Sequence, residues 1–297
     1  NWNWKVGCLM GTHKPISLEN SNATEARQQI RRESVQRLAS AITKSIFNTL
    51  FSLAIVTGLW VFALWAFNVT PYSGKGPLDV WNYLFTDEEA AENRELVLAA
   101  LGQTMYDAAI GFTVGIFAAT LVAVIFTLSR SVEQALMPLA MLLRSVPLIA
   151  MAPIIILIFG RQQASVAVMG AIVVLFPALV NIVFGLRSAS PAMLDVVKVY
   201  GAGRISTLRT VAFPSSLASF FAAVKISVPG AITGALLVEW LATGQGIGYG
   251  IISAVGRLKT NEVWAYVVVI TLVSIVLYNL VALLENAVVT RWGAPSQ

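Results

Sequence analysis

Charge is what this chain lacks most. Of its 297 residues only 12 % are Asp, Glu, Lys or Arg, while 57 % are hydrophobic and the mean hydropathy is +0.75. Soluble domains carry about 25 % charged residues, so a water-soluble globular fold is excluded. A single cysteine, Cys8, excludes an internal disulfide, and a single histidine, His13, leaves no zinc cluster and no histidine relay. No G-x-x-x-x-G-K-[ST] run occurs, so the chain has no loop of that kind for ATP. No catalytic or metal-ligating set is expected. Residues 1–45 lack the apolar core of a signal peptide. The chain begins at Asn1 and not Met, so further residues are expected ahead of it.

What it has is a series of apolar runs of about 20 residues, the length that crosses a bilayer as a helix. They are continuous and not alternating, which selects helices over barrel strands. Spans are expected at 46–68, 104–128, 145–159, 165–186, 217–241 and 263–284. The second holds Gly111 and Gly115 in G-x-x-x-G spacing, which permits close helix contact. An arginine at mid-bilayer costs about 2.5–3.5 kcal/mol. Arg144 is therefore placed near the headgroups, after an interfacial helix at 134–143. The third span is then short and bent by Pro147 and Pro153. Residues 1–45 are expected as a cytoplasmic segment with an amphipathic helix over 23–45, and 285–297 as a cytoplasmic tail.

Six spans put both ends on one side. With the N-terminus inside, the inner segments hold 13 Lys and Arg and the outer segments 5. That asymmetry favours cytoplasmic N- and C-termini. The net charge of +5 thus belongs to cytoplasmic loops bordering membrane lipid, not to a nucleic-acid surface.

On the inner side lies the longest polar interruption after residue 103, DVVKVYGAGRISTLRTVAFP at 195–214. It reads as a charged helix with a central glycine, closed by a proline. A helix seated in a partner's groove transmits force through packed contacts and a few charge pairs. Asp195 at its start suits the helix dipole, and Lys198 and Arg204 supply further charge. Gly201 either lets a partner backbone approach or ends the first helical turns. Pro214 separates the stretch from the fifth span. The plain alternative is a solvated loop.

This stretch resembles the cytoplasmic loop signature of ABC importer permeases: Glu-Ala-Ala, three residues, Gly, nine residues, Ile, one residue, Leu-Pro. Asp195-Val196-Val197, Gly201, Val211, Phe213 and Pro214 fill those places, with Val-Val for Ala-Ala as the departure. The runs LRSVPLIAMAPIIILIFG (143–160), FPALVNIVFGLRS (176–188) and VEWLATGQGIGYGI (238–251) are similar to permeases of the nitrate/sulfonate/taurine type. The resemblance covers about 104–284. It implies an all-α membrane protein with six transmembrane helices in the type I ABC importer permease fold, 46–284. It also implies a bacterial inner-membrane location and a non-enzymatic role, forming the path for a small solute. That solute would be a nitrogen heterocycle, a sulfonate or taurine, or a nitrate-like anion. The implied partners are a second permease copy or sibling, ATP-binding ABC subunits on the cytoplasmic loops, and an extracytoplasmic substrate-binding protein. ATP and magnesium would sit in the ATPase, so no cofactor is expected in this chain.

The gate and path candidates are Pro147, Pro153, Asn181, Glu239 and Gly246, with Pro177 and Pro229 adding bends. Asn181 is expected to hydrogen-bond between helices, and Lys225 to snorkel. TGQGIGYG follows no strand, so it is not a dinucleotide loop. A tight turn into a short re-entrant helix is expected, and in the resembling family this segment belongs to the outer gate. Glu239 is read as the single acid within the spans, and is a functional candidate for that reason. A secondary transporter driven by an ion gradient would need paired intramembrane acids or an inverted repeat. A non-transporting membrane subunit would need no cytoplasmic handle.

Overall fold

The structure is a computed structural model that describes Thr43 and residues 47–292. The helix expected over 23–45, Cys8 and His13 lie outside the described residues, apart from Thr43, as do residues 293–297. Two compact units are distinguished, Asn1–Phe51 and Ser52–Gln297. In the first, the described residues are helical, and the Phe47 and Phe51 rings stack with centroids 6.3 Å apart. The second is built from helices, with no strand among the described residues.

Among the described residues, five helices are long and apolar enough to cross a membrane. They are α1 (Phe47–Ala66), α3 (Ala90–Leu128), α6 (Gln163–Arg187), α10 (Leu217–Val238) with the π-helical turn that continues it to Thr243, and α12 (Thr260–Trp292). The stretch expected as a third span is shorter. α5 (Leu148–Phe159) has 12 residues, a rise of about 18 Å against an apolar layer of about 30 Å. Pro147 is the reason. It stands at φ −58°, ψ 122° and separates α5 from α4 (Arg130–Ser145) instead of merely bending one helix. α4 covers the helix expected at 134–143 and is longer at both ends, with its apolar residues gathered on one side.

The second span is longer than expected at its start. α3 runs for 39 residues from Ala90, about 58 Å, so the last part of the polar stretch 69–103, from residue 90 on, is helix. The run Asp87, Glu88, Glu89, Glu92 places negative charge at the helix N-terminus, where the dipole favours it. Ahead of it, α2 (Pro77–Trp81) starts with proline at its first position, and the Asp79 carboxylate accepts the Gly76 N–H at 2.7 Å. Asn93 and Arg94 reach back to the carbonyls of Tyr83 (3.0 Å) and Leu84 (2.8 Å). Burial and the nearby Glu262 push the Tyr83 hydroxyl up to about 12, so it stays a neutral phenol. Trp264 of α12 donates to the Ser73 carbonyl at 3.0 Å and stacks on Trp60 at 5.3 Å. The polar stretch is thereby tied to two spans.

The centre of the bundle is a contact between three backbones. A Cβ placed on Gly111 of α3 would stand 2.7 Å from the Gly170 Cα of α6. One on Gly115 would stand 2.6 Å from the Val174 Cβ, and one on Gly234 of α10 would stand 3.0 Å from the Gly170 Cα. The G-x-x-x-G spacing does mark an interface, and two further glycines complete it. Buried Ala108, Val174, Ala231 and Ala235 surround this contact, and Ala119, Ala123, Ala178 and Ala223 extend the small-residue seam along the same helices. Lys225 does not snorkel alone. Its ammonium pairs with the Glu285 carboxylate of α12, and both are largely covered. α12 itself continues to Trp292, through most of the expected tail.

Gly170→Val forces the three backbones apart. Overpacking of this kind costs about 1–3 kcal/mol. The expected outcome is a lower thermal midpoint of the detergent-solubilised chain, while Gly102→Ala, which meets open space, leaves the midpoint unchanged or slightly raised.

Candidate coupling surface and gate

The polar interruption is not one helix. It comprises α7 (Pro191–Val199), α8 (Arg204–Thr207), a π-helical turn at Leu208–Ala212 and the single turn α9 (Phe213–Ser215). α7 starts four residues ahead of Asp195, with proline at its first position after Ser190. Asp195 is therefore mid-helix and does not sit at the dipole's positive end. It faces Lys198 at 3.6 Å, both exposed, a pair that contributes little to stability. Gly201 ends the helix. At φ +77° it donates its N–H to the Lys198 carbonyl (2.9 Å), and Ala202 donates to that of Val197 (3.0 Å). This is a Schellman closure, which glycine enters without a Cβ penalty. Arg204 turns back toward the bundle, its Nη1 donating to the Leu128 carbonyl at 3.4 Å. Buried Val211 and Ala212 anchor the return, and Pro214 lies in α9, just before α10.

The conspicuous feature of this surface is apolar. Val199 is 86 % exposed, Tyr200 87 % and Ile205 71 %, with Met193 and Val196 about half exposed. Val196, Val199 and Tyr200 follow helical i, i+3, i+4 spacing and form a stripe on α7. Apolar groups unpartnered on a polar loop mark a surface for another protein or for a membrane. Reading the charges alone missed this stripe, although its spacing stood in VVKVY. Beside it, a cavity of about 360 Å³ opens between α7 and the return, lined by Met193, Val196, Val197, Val211 and Pro214.

At the far end of α10 the chain turns through the π-helical segment Glu239–Thr243 into α11 (Gly246–Gly256). Gly244 (φ +70°) and Gly246 (φ +81°) make the turn, the expected tight entry to a short helix. Glu239 is fully buried under it, and its Oε2 accepts from the Thr104 hydroxyl of α3 (2.9 Å) and from the Gly248 N–H (2.8 Å). The Thr104 oxygen in turn accepts the Ile247 N–H at 2.8 Å. A Cβ on Gly246 would collide with the Glu239 carboxyl, and one on Gly248 with the Leu236 carbonyl. Only glycines let α11 close over this carboxyl, which accepts one of the helix's first amides, while Thr104 accepts another.

Glu239 is not the single acid within the spans. Asp107, one turn from Thr104 on α3, is 1 % exposed and lies beside Glu239; Gln103 donates to its Oδ1 at 3.1 Å. It falls inside 104–128 and was missed because one acid hardly lowers the average of a long apolar run. Asp107 Oδ2 and Glu239 Oε1 take no hydrogen bond from any other group among the described residues. The two carboxyls share a side-chain hydrogen bond, so a proton held between them joins α3 to the end of α10. Glu239 and Gly246 are thus brought together. The other path candidates are not: Pro147 and Pro153 are exposed at and within α5, and Asn181 donates within α6, to the Pro177 carbonyl at 2.8 Å, not to a neighbouring helix.

Comparison with known proteins gives the same fold. A family model described as "Binding-protein-dependent transport system inner membrane component" matches residues 111–293. A probable ABC transporter permease protein of Haemophilus influenzae is 27 % identical over 202 residues, 66 % of this chain and 82 % of that protein. The riboflavin transport system permease protein of Chloroflexus aurantiacus is 34 % identical over 165 residues, 56 % of this chain and 61 % of its own. A formylaminopyrimidine transport permease protein of Halalkalibacterium halodurans is 28 % identical over 194 residues, 65 % and 78 % of the two chains.

Thr104→Val removes the hydroxyl that joins Glu239 to the Ile247 amide. The expected cost is about 1–3 kcal/mol, read as faster amide hydrogen exchange at 246–250 with unchanged exchange along α6.

Proposed function

This chain belongs to the family of binding-protein-dependent transport system inner membrane components, with the all-α type I permease fold, and we propose that it is the translocating subunit of an ATP-driven importer. The observation that carries the proposal is the exposed stripe Val196, Val199 and Tyr200 on a loop bearing the permease signature through Pro214. A partner groove that buries such a stripe gains a firm apolar hold. Two ATPase subunits, holding ATP and magnesium, seat the handles of two permease copies or siblings. Their closure draws the handles together and opens the path outward, where an extracytoplasmic binding protein delivers the solute. Hydrolysis resets the pair. The termini face the cytoplasm of a bacterium, and the bundle spans its inner membrane.

The cargo is a small solute. The few fixed charges among the spans suit one released quickly, so selectivity lies mainly in the binding protein. A nitrogen heterocycle fits this path, as the names of the riboflavin and formylaminopyrimidine relatives suggest. Sulfonate and nitrate permeases stand among the relatives too. The alternative is a secondary transporter, and the Asp107–Glu239 pair is the feature it would require. The family match and the apolar handle favour the ATP-driven reading.

Val199→Asp with Tyr200→Asp buries charge where the partner packs. Retention of the ATPase subunit on the affinity-purified chain is expected to fall at least tenfold, for a loss of about 1.4 kcal/mol or more. Undiminished retention refutes the coupling surface. In inverted-free, binding-protein-loaded proteoliposomes, uptake is expected to require ATP and to persist with a protonophore. Uptake that needs the gradient and not ATP establishes the alternative, whereas ATP hydrolysis still coupled to uptake after deletion of 195–214 refutes the handle.

A further inference from the structure

Behind the handle, on the side away from the apolar stripe, lies a cavity of about 1010 Å³. The end of α3 and start of α4 bound it on one side, and α7 and α8 on the other. Arg130, Arg187, Lys198 and Arg204 line it, and no acid does. Two of these cations are partly neutralised, Arg187 by Glu133 and Lys198 by Asp195. Arg130 and Arg204 have no carboxylate partner among the described residues, and Arg204 bonds only a carbonyl. The hydroxyls of Ser129 and Ser131 add donors to the same walls, while that of Thr207 already donates to the Gly203 carbonyl at 3.0 Å.

A second cavity, about 540 Å³, shares Arg130 and Arg187 with the first and continues along α4 past Gln134 and Glu133, whose carboxylate is paired with Arg187, to Met137, Pro138 and Met141. Leu136, Leu139 and Leu142 stand exposed on the same helix. The two together form a basic head compartment opening onto an apolar track, at the level where a long span ends. A free anion would use the head compartment and leave the track without a role. A docking protein would meet the exposed stripe first, on the other side of α7.

We propose that this double cavity binds an anionic phospholipid, with its phosphate between Arg130 and Arg204 and its chains along α4. Arginine pairs hold phosphate oxygens with charge-assisted bonds, and basic clusters at the cytoplasmic edge of spans select anionic headgroups. The lipid would then brace α7–α8 against the α3–α4 corner and set how far the handle stands from the bundle. Assignment to the inner leaflet rests on the orientation proposed above; the binding itself does not.

The test is native mass spectrometry of the purified full chain with phosphatidylglycerol or phosphatidylcholine of matched chains, and inorganic phosphate as a third arm. The expected result is a preference for phosphatidylglycerol of roughly tenfold, the scale set by one to two interfacial charges. Arg130→Gln with Arg204→Gln should abolish it, and Arg130→Lys with Arg204→Lys should keep most of it. If the double glutamine chain fails to fold, Lys198→Gln is read instead, with a partial loss expected. Equal binding of the two lipids, or preference kept in the glutamine variant, overturns the proposal. Displacement of the lipid by millimolar phosphate assigns the site to a free anion and overturns it as well. So does a glutamine variant that keeps its lipid and loses the ATPase subunit, for the cavity then belongs to the partner. A chain with Val199→Asp and Tyr200→Asp that releases the ATPase and keeps its lipid preference supports two separate sites.

Discussion

Three helix backbones meet at Gly111, Gly170 and Gly234, and the placement of everything else follows from that contact. Lipid tails are as apolar as leucine, so helices in a bilayer are not driven together by the hydrophobic effect. What holds them is the number of atoms brought to van der Waals distance. Glycine removes the side chains that would keep the axes apart, and alanines along the same seam continue the approach. α10 is thereby fixed against α6 and α3 near its far end. The handle hangs from one terminus of α10, and the Glu239 turn from the other.

Features set by composition or backbone chemistry were legible in the sequence. The apolar runs located the long spans, the 111/115 spacing marked the tight seam, and the glycines at 244 and 246 foretold the turn. Features set by competition between two readings of one residue were not. Pro147 bends a helix or ends it, and here it ends α4. The acids at 87–92 exclude a membrane span yet favour the start of a helix, so α3 reaches well beyond its apolar part. The hydrogen bond from Thr104 to Glu239 joins residues 135 apart in sequence, which no local pattern announces. Handle charges drew attention because charge is scarce, although the apolar stripe between them is the more exposed.

The acid pair has a structural meaning that does not need an ion gradient. Glu239 Oε2 satisfies a backbone amide of α11 and a hydroxyl of α3 at once, as a helix-terminal acid should. Its carboxyl also shares a side-chain hydrogen bond with Asp107, so the acid pair closes one polar network across α3, α10 and α11.

The geometry of α10 gives the scale of any opening at the Glu239 turn. From Leu217 to Gly234 the helix rises about 26 Å, and from Gly234 to Glu239 about 7.5 Å. If the glycine contact is the pivot, displacement at the handle reaches the turn reduced by roughly the ratio of those arms, about 3.5 to 1. A shift of about 4 Å at the handle then moves Glu239 by about 1 Å, enough to carry a bond of 2.8 Å past the hydrogen-bonding limit. Pro229, between pivot and handle, would absorb part of the motion by bending. Thr233 donates to its carbonyl at 2.9 Å, and the Lys225–Glu285 pair fastens the same stretch to α12. On that pivot the Lys225–Glu285 pair is the restraint on the long arm, while the Thr233 back-bond favours a bend at the proline itself.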